Sequence, residues 1–192
     1  MILIYSHMRK CLALLLVLLL ASGMSASIKG PVHKPVKGVK KMAAPSMMIK
    51  SPLFKNMEKL PVKYTGDGDG VSPALVFENV PANTKSLALI MDDPDAPAGT
   101  FDHWLIFDIP PSVKEIKEGT TPAGAVMGKN SAGRTNYVPP YPPAGNPHRY
   151  VFNLYALDKT LFLMEGDDKF RIMSAMEGHI IAHATLIGLH KR

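Results

Sequence analysis

Ser86-Leu87-Ala88-Leu89-Ile90-Met91-Asp92-Asp93-Pro94-Asp95-Ala96-Pro97 is followed, five residues on, by His103-Trp104-Leu105-Ile106-Phe107-Asp108-Ile109. The two apolar runs read as buried strands, each stopped by proline-rich sequence. Between them lies an acidic proline loop. About 45 residues later a second such loop, Pro142-Pro143-Ala144-Gly145-Asn146-Pro147-His148-Arg149-Tyr150, runs into another apolar segment. Loops carry function when rigid elements hold them, and proline reduces the freedom such a loop loses on binding.

The rest of the chain extends this pattern. Met48–Phe54 reads as an edge strand broken by Pro52. Lys63–Thr65 reads as a short strand before the turn Gly66-Asp67-Gly68-Asp69-Gly70. That acidic turn partly resembles a calcium loop but lacks the spacing and distal Glu of an EF-hand. Ala74–Glu78 and Tyr150–Leu157 are further strands, and Thr121–Pro147 is a long Gly/Pro/Asn-rich region with little regular structure. One helix is expected near the C-terminus. Ser174-Ala175-Met176-Glu177 has capping-box spacing, and Met176, Ile180, Ala184 and Ile187 would share one helical face. Short strands, turn-rich loops and a late helix predict an all-β fold: an antiparallel β-sandwich of two sheets with a few short peripheral helices.

The N-terminus reads differently. Arg9-Lys10 precede an apolar run from Cys11 to Leu20, and Ala21-Ser22-Gly23 follows. A charged region, a short apolar core and small residues predict a signal peptide over 1–26, and hence an exported protein, periplasmic or secreted. Residues 27–46 read as a Lys/Pro-rich flexible linker, leaving 47–192 as the folded domain. Cys11 is the only cysteine, so the mature domain has no disulfide and no thiol nucleophile. The net charge of +6 is unevenly spread. Residues 27–63 hold nine lysines against one acid, whereas residues 64–192 hold 11 basic and 15 acidic residues. A basic nucleic-acid-binding face on the domain is therefore not expected. The lysine-rich tail supports at most peripheral contact with anionic lipid.

Asp93, Asp95, His103 and His148 are the candidates for chemistry. A carboxylate beside an imidazole fixes its tautomer and favours its charged form. An imidazolium binds a phosphate oxygen through a charge-assisted hydrogen bond. If Asp93 or Asp95 lies adjacent, His103 or His148 should titrate above its ordinary value. A spare carboxylate suits an ammonium group, so the set matches a zwitterionic phospho-amine headgroup. Tyr150 and Trp104 would add a hydroxyl and an apolar wall. A catalytic zinc site built from two His and one Asp competes, but there is no short His-x-His pair. His179 and His183 have helix spacing of i, i+4 without the intervening Glu of a zinc protease. No nucleophile elbow and no phosphate-cradling loop is present.

Together these segments resemble the phosphatidylethanolamine-binding protein family, also called Raf kinase inhibitor-like. The carriers are Lys63-Tyr64-Thr65 to Ser72-Pro73-Ala74-Leu75, Asp93-Pro94-Asp95-Ala96-Pro97, His103-Trp104, Pro142-Pro143 to Tyr150, and Gly178-His179 in an expected C-terminal helix. The resemblance covers roughly residues 47–192. It implies a β-sandwich with a small pocket for phosphate-bearing anions, lined by Asp93, Asp95, His103, Pro143, His148 and Tyr150. Three features depart from the family pattern. Gly66 stands where many members have Cys. Asn136–Tyr141 differs from the usual loop. His190 stands near a Tyr that closes the pocket elsewhere.

The expected function is an exported binding protein for phosphorylated ligands or phospholipid headgroups. No cofactor, metal or catalytic activity is expected. Two alternatives stand beside it: an extracytoplasmic protease or hydrolase inhibitor presenting the proline-rich loop, and a metal- or acid/base-dependent hydrolase. The partner is a phosphate-bearing small molecule or headgroup, with a protein partner and a homodimer left open.

Overall fold

A computed structural model describes residues 46–192 of the chain. The expected signal peptide, and all of the expected linker but Ser46, lie outside the described residues. The described chain is mostly β. Its elements run β1 (Met48–Lys50), β2 (Glu58–Lys59), β3 (Leu75–Glu78), β4 (Ser86–Asp93), β5 (Phe101–Ile109), β6 (Glu115–Ile116), β7 (Val126–Met127), β8 (His148–Leu157), α1 (Lys169–Met176) and β9 (Ile180–His190). They form a three-stranded sheet in the order β1-β3-β6 and a six-stranded sheet in the order β2-β9-β8-β4-β5-β7. Neighbours pair antiparallel except the two-residue β2, which lies parallel to β9.

Side-chain alternation decides what each face buries. Leu87, Leu89 and Met91 of β4, Trp104 and Ile106 of β5, and Phe152 and Leu154 of β8 join one core with Ile49, Leu75, Phe77 and Ile116 of the smaller sheet. The intervening residues of β4 and β5, Ala88, Ile90, Leu105 and Phe107, pack on the other side against Leu161, Ile172 and Met176. These two strands are covered on both faces, which is why they read as unbroken apolar runs rather than alternating ones.

Three local expectations are corrected. Lys63–Thr65 is not a strand. Pro61 starts a short 3-10 turn over Val62–Tyr64, closed by Tyr64 N–H to the Pro61 carbonyl and Thr65 N–H to the Val62 carbonyl. The first strand stops at Lys50, short of Phe54. The largest correction lies at the C-terminus. The helix ends at Met176 instead of starting near Ser174, and its N-cap is Asp168, whose carboxylate accepts from Arg171 N–H at 3.0 Å. Gly178 then takes a left-handed φ of +75°, and the chain leaves as the longest strand, β9. Gly178 and His179 are therefore in a turn, and Ile180, Ala184 and Ile187 are in a strand. Ala184, Leu186, Gly188 and His190 are its buried alternate residues.

One ion cluster ties α1 to the larger sheet. Lys169 Nζ donates to Asp92 at 2.9 Å and to Asp102 at 2.7 Å. Asp92 and Asp102 are cross-strand partners on β4 and β5, so without the cation two carboxylates would repel side by side. Burial alone would lower the Lys169 pKa; Asp102 and Asp92 outweigh it and the net shift is upward. This contribution is complete below the ordinary lysine value of 10.5 and disappears as pH rises through the higher folded value. Lys169→Ala should lower stability near neutral pH by about 2 kcal/mol, and adding Asp102→Asn should recover more than half of that. Denaturant titration of the two variants checks it; an unchanged midpoint in Lys169→Ala would show that the cluster contributes nothing.

Candidate functional site

The ends of β4, β5 and β8 meet at one pocket of about 230 Å³. Asp93 is the last residue of β4 and is 3% exposed. A buried carboxylate needs partners, and Asp93 has two. One oxygen accepts from His148 Nδ1–H at 2.7 Å, and the other accepts from Asp95 N–H at 2.9 Å. His148 opens β8, the strand adjacent to β4, so the sheet itself brings this pair together.

His103 reaches the same pocket through a register slip. Met91 pairs with Trp104 and Asp92 with Asp102, leaving His103 as an extra residue on β5. Such a bulge re-aims a side chain that strict alternation would send to the other face. His103 joins Tyr150 in an edge-on contact of 5.2 Å between ring centroids. Its Nδ1–H donates to the Val138 carbonyl at 2.8 Å, which fixes the tautomer and leaves Nε2 unprotonated in the neutral ring. Burial pushes its pKa below the ordinary value of 6.5, and the Val138 carbonyl and Asp93 only partly offset this. The expectation of a raised value is corrected for His103: Asp93 bonds to His148, and desolvation dominates at His103.

Tyr150 sits on the pocket wall with its hydroxyl buried and without a hydrogen-bond partner among the described residues. Burial, and then the Asp93 carboxylate, raise its pKa far above that of a free phenol. Pro143 is on the rim, with Phe101, Pro142 and Tyr141 adding apolar surface. The structure thus brings Asp93, His103, Pro143, His148 and Tyr150 together. Asp95 stands apart. Its two oxygens accept from Arg149 Nε–H and Nη2–H at 2.8 and 2.7 Å, and the Arg149 guanidinium holds its carboxyl down at about 2. It lines an adjoining groove instead of the pocket, so the pocket's carboxylate is Asp93. Trp104 also departs from expectation, turning into the core against Tyr137.

Several supporting residues escaped the sequence reading. Asn130 is 4% exposed and folds the long loop on itself, accepting from Ala132 and Arg134 N–H and donating to the Asn136 carbonyl. This delivers Val138 to His103. Asp67, in the glycine-rich turn, accepts from His190 Nε2–H at 2.9 Å and contacts Arg192 Nε at 3.3 Å. Arg192 in turn lies 3.8 Å over the Tyr141 ring at the rim. Gly66 allows this packing, because a Cβ there would stand 2.5 Å from the same ring. His179 and His183 lie elsewhere, His179 on Asp158 and His183 stacked on Tyr155. Among the described residues no three His, Cys, Asp or Glu side chains are grouped to hold a metal ion.

The sequence profile of the phosphatidylethanolamine-binding protein family matches residues 50–191. The chain belongs to that family. A UPF0098 protein of Methanothermobacter thermautotrophicus is 46% identical over 151 residues, covering 76% of this chain and 99% of the relative. A UPF0098 protein of Chlamydia trachomatis is 42% identical over the same length, again covering 76% and 99%. Among solved structures, a phosphatidylethanolamine-binding protein homolog from Chlamydia trachomatis superposes with a TM-score of 0.74 at 41% identity, covering 77% of this chain and 98% of that one. E. coli YbcL, described as a member of the mammalian PEBP family, gives 0.72 at 27% identity, covering 77% and 99%.

A buried hydroxyl without a partner costs about 1–3 kcal/mol when nothing fills the pocket. Tyr150→Phe should therefore leave the ligand-free protein as stable as the parent or more so. Thermal unfolding of the two proteins checks it; a clear loss of stability would show that the hydroxyl serves the fold.

Proposed function

We propose that this chain is an exported binding protein whose pocket, at the strand ends of a β-sandwich, takes phosphorylated ligands or phospholipid headgroups. One observation carries the reading. Among the described residues the buried Tyr150 hydroxyl makes no direct hydrogen bond, and it lies near Asp93 on the wall of a pocket that also presents two imidazoles. Among the described residues the Nε2 atoms of His103 and His148 make no hydrogen bond, while Nδ1 of each is held by the protein. Charged, both rings donate from Nε2. Two imidazolium donors and a phenol converge on an oxyanion, and the apolar rim suits the carbon part of a headgroup.

Export rests on the Arg9-Lys10, Cys11–Leu20 and Ala21–Gly23 pattern. We read the domain as a binder without catalytic turnover. The mature chain has no thiol, no serine elbow supplies a nucleophile, and complementarity to a ground-state headgroup does not accelerate a reaction.

The pH dependence follows from His103. Burial keeps its ring neutral near pH 7, so an anion that engages it must recharge it and binding takes up a proton. Affinity should therefore rise as pH falls. The second ionisation of the phosphate opposes this, leaving a net gain of up to about tenfold between pH 8 and pH 6. Calorimetric titration with phosphoethanolamine in buffers of different ionisation enthalpy measures both affinity and proton uptake. Equal affinity at the two pH values with no uptake, or binding that survives His148→Ala unchanged, would overturn the charged-imidazole reading.

A further inference from the structure

A second histidine–carboxylate pair stands beside the first. His190 on β9 is the cross-strand partner of His148 on β8. Asp67 accepts from its Nε2–H as Asp93 accepts from His148 Nδ1–H. The His190 side chain is 3% exposed, and its Nδ1 is buried with no partner among the described residues. A buried ring nitrogen left unpaired calls for an account. His190 lines a recess of about 280 Å³ together with Lys59 and Lys191. The ion-paired lysines among the described residues are Lys50, Lys63 and Lys169, so both ammonium groups of the recess lack a carboxylate. Glu58, next to Lys59, turns its carboxylate to the Lys55 amide.

The recess and the pocket flank one groove. The recess shares Pro147 and Leu189 with this groove of about 670 Å³, and the groove shares Pro143 and His148 with the pocket. Half-exposed Met57, with Pro147 and Leu189, gives that groove an apolar side, and Asn146, Asp95 and Arg149 lie beside it. Its carboxylate, Asp95, is already neutralised by Arg149. Arg192 holds the wall in place, its main-chain oxygen accepting from Gly145 N–H at 3.3 Å. Lys59, Leu189 and Arg149 are register partners across three neighbouring strands. This places the Lys59 and Arg149 backbones about 10 Å apart, and His148 is the residue before Arg149.

Building on the phosphate reading of the pocket, we propose that the full site takes ligands with two acidic groups. A phosphate-type group sits at His103 and His148, an apolar spacer crosses Met57 and Leu189, and a second acidic group sits between the ammonium groups of Lys59 and Lys191. A ligand with the phosphate-type group alone leaves both lysines idle.

Phosphonohexanoate carries both groups on one alkyl chain, and hexylphosphonate carries the phosphonate alone. Calorimetric titration of the full domain should show phosphonohexanoate binding about tenfold tighter than hexylphosphonate, as two exposed ion pairs of ordinary strength allow. Lys59→Ala and Lys191→Ala, both at exposed positions, should each remove about threefold of that gain and leave hexylphosphonate unchanged. Equal affinity for the two probes, or a gain that persists in the double variant, would overturn this inference while the pocket reading stands. Failure of hexylphosphonate itself to bind, or binding indifferent to His148→Ala, would overturn the pocket reading and this inference with it.

Discussion

A carboxylate taken out of water must be paired, and the pairing of Asp93 with His148 at 2.7 Å organises one end of this protein. Asp93 closes β4 and His148 opens β8, so the bond forms only if the two strands keep their antiparallel register. The same carboxylate receives the Asp95 amide and thereby turns the chain into the acidic loop. That turn leaves Asp95 positioned to engage Arg149, the residue after His148. One buried charge thus fixes the two proline-rich loops relative to each other across the sheet.

Everything else in the pocket is fitted to that anchor. The bulge at His103 brings in a second imidazole, and the long loop, folded around Asn130, supplies the carbonyl that sets its tautomer. The rim is held from the opposite side by Asp67, His190 and Arg192. The positions at which this chain departs from its family's pattern cluster here. Gly66 makes room for Tyr141, and His190 holds its buried ring on Asp67. These residues lie about the pocket's entrance, while Asp93, His103, His148 and Tyr150 line the pocket itself.

The central strands were legible because their physics is local. Five consecutive apolar residues between turn signals, as in Leu87–Met91, leave little choice. The C-terminus was misread because two periodicities overlap there. Met176, Ile180, Ala184 and Ile187 mimic a helical stripe, whereas the residues β9 buries follow period two. Gly178, two residues past the last helical residue, was the available stop signal. The acid, imidazole and phenol of the pocket could be named from residue type and resemblance. Their division of labour could not. Whether Asp93 or Asp95 meets a histidine depends on cross-strand register, and the bulge that re-aims His103 leaves no mark in the sequence. Asp67 and Arg192 are surface-type residues whose roles arise only when the turn and the C-terminus meet.

The central claim is that Nε2 of His103 and of His148 receive an oxyanion. Nitrogen-15 spectra of the histidine rings during titration with inorganic phosphate test it most directly. The account predicts that the Nε2 signals of His103 and His148 move together and saturate, shifting toward the protonated range, while His179 and His183 stay fixed. Uniform small shifts of all the rings, or movement of His179 and His183 alone, would contradict it.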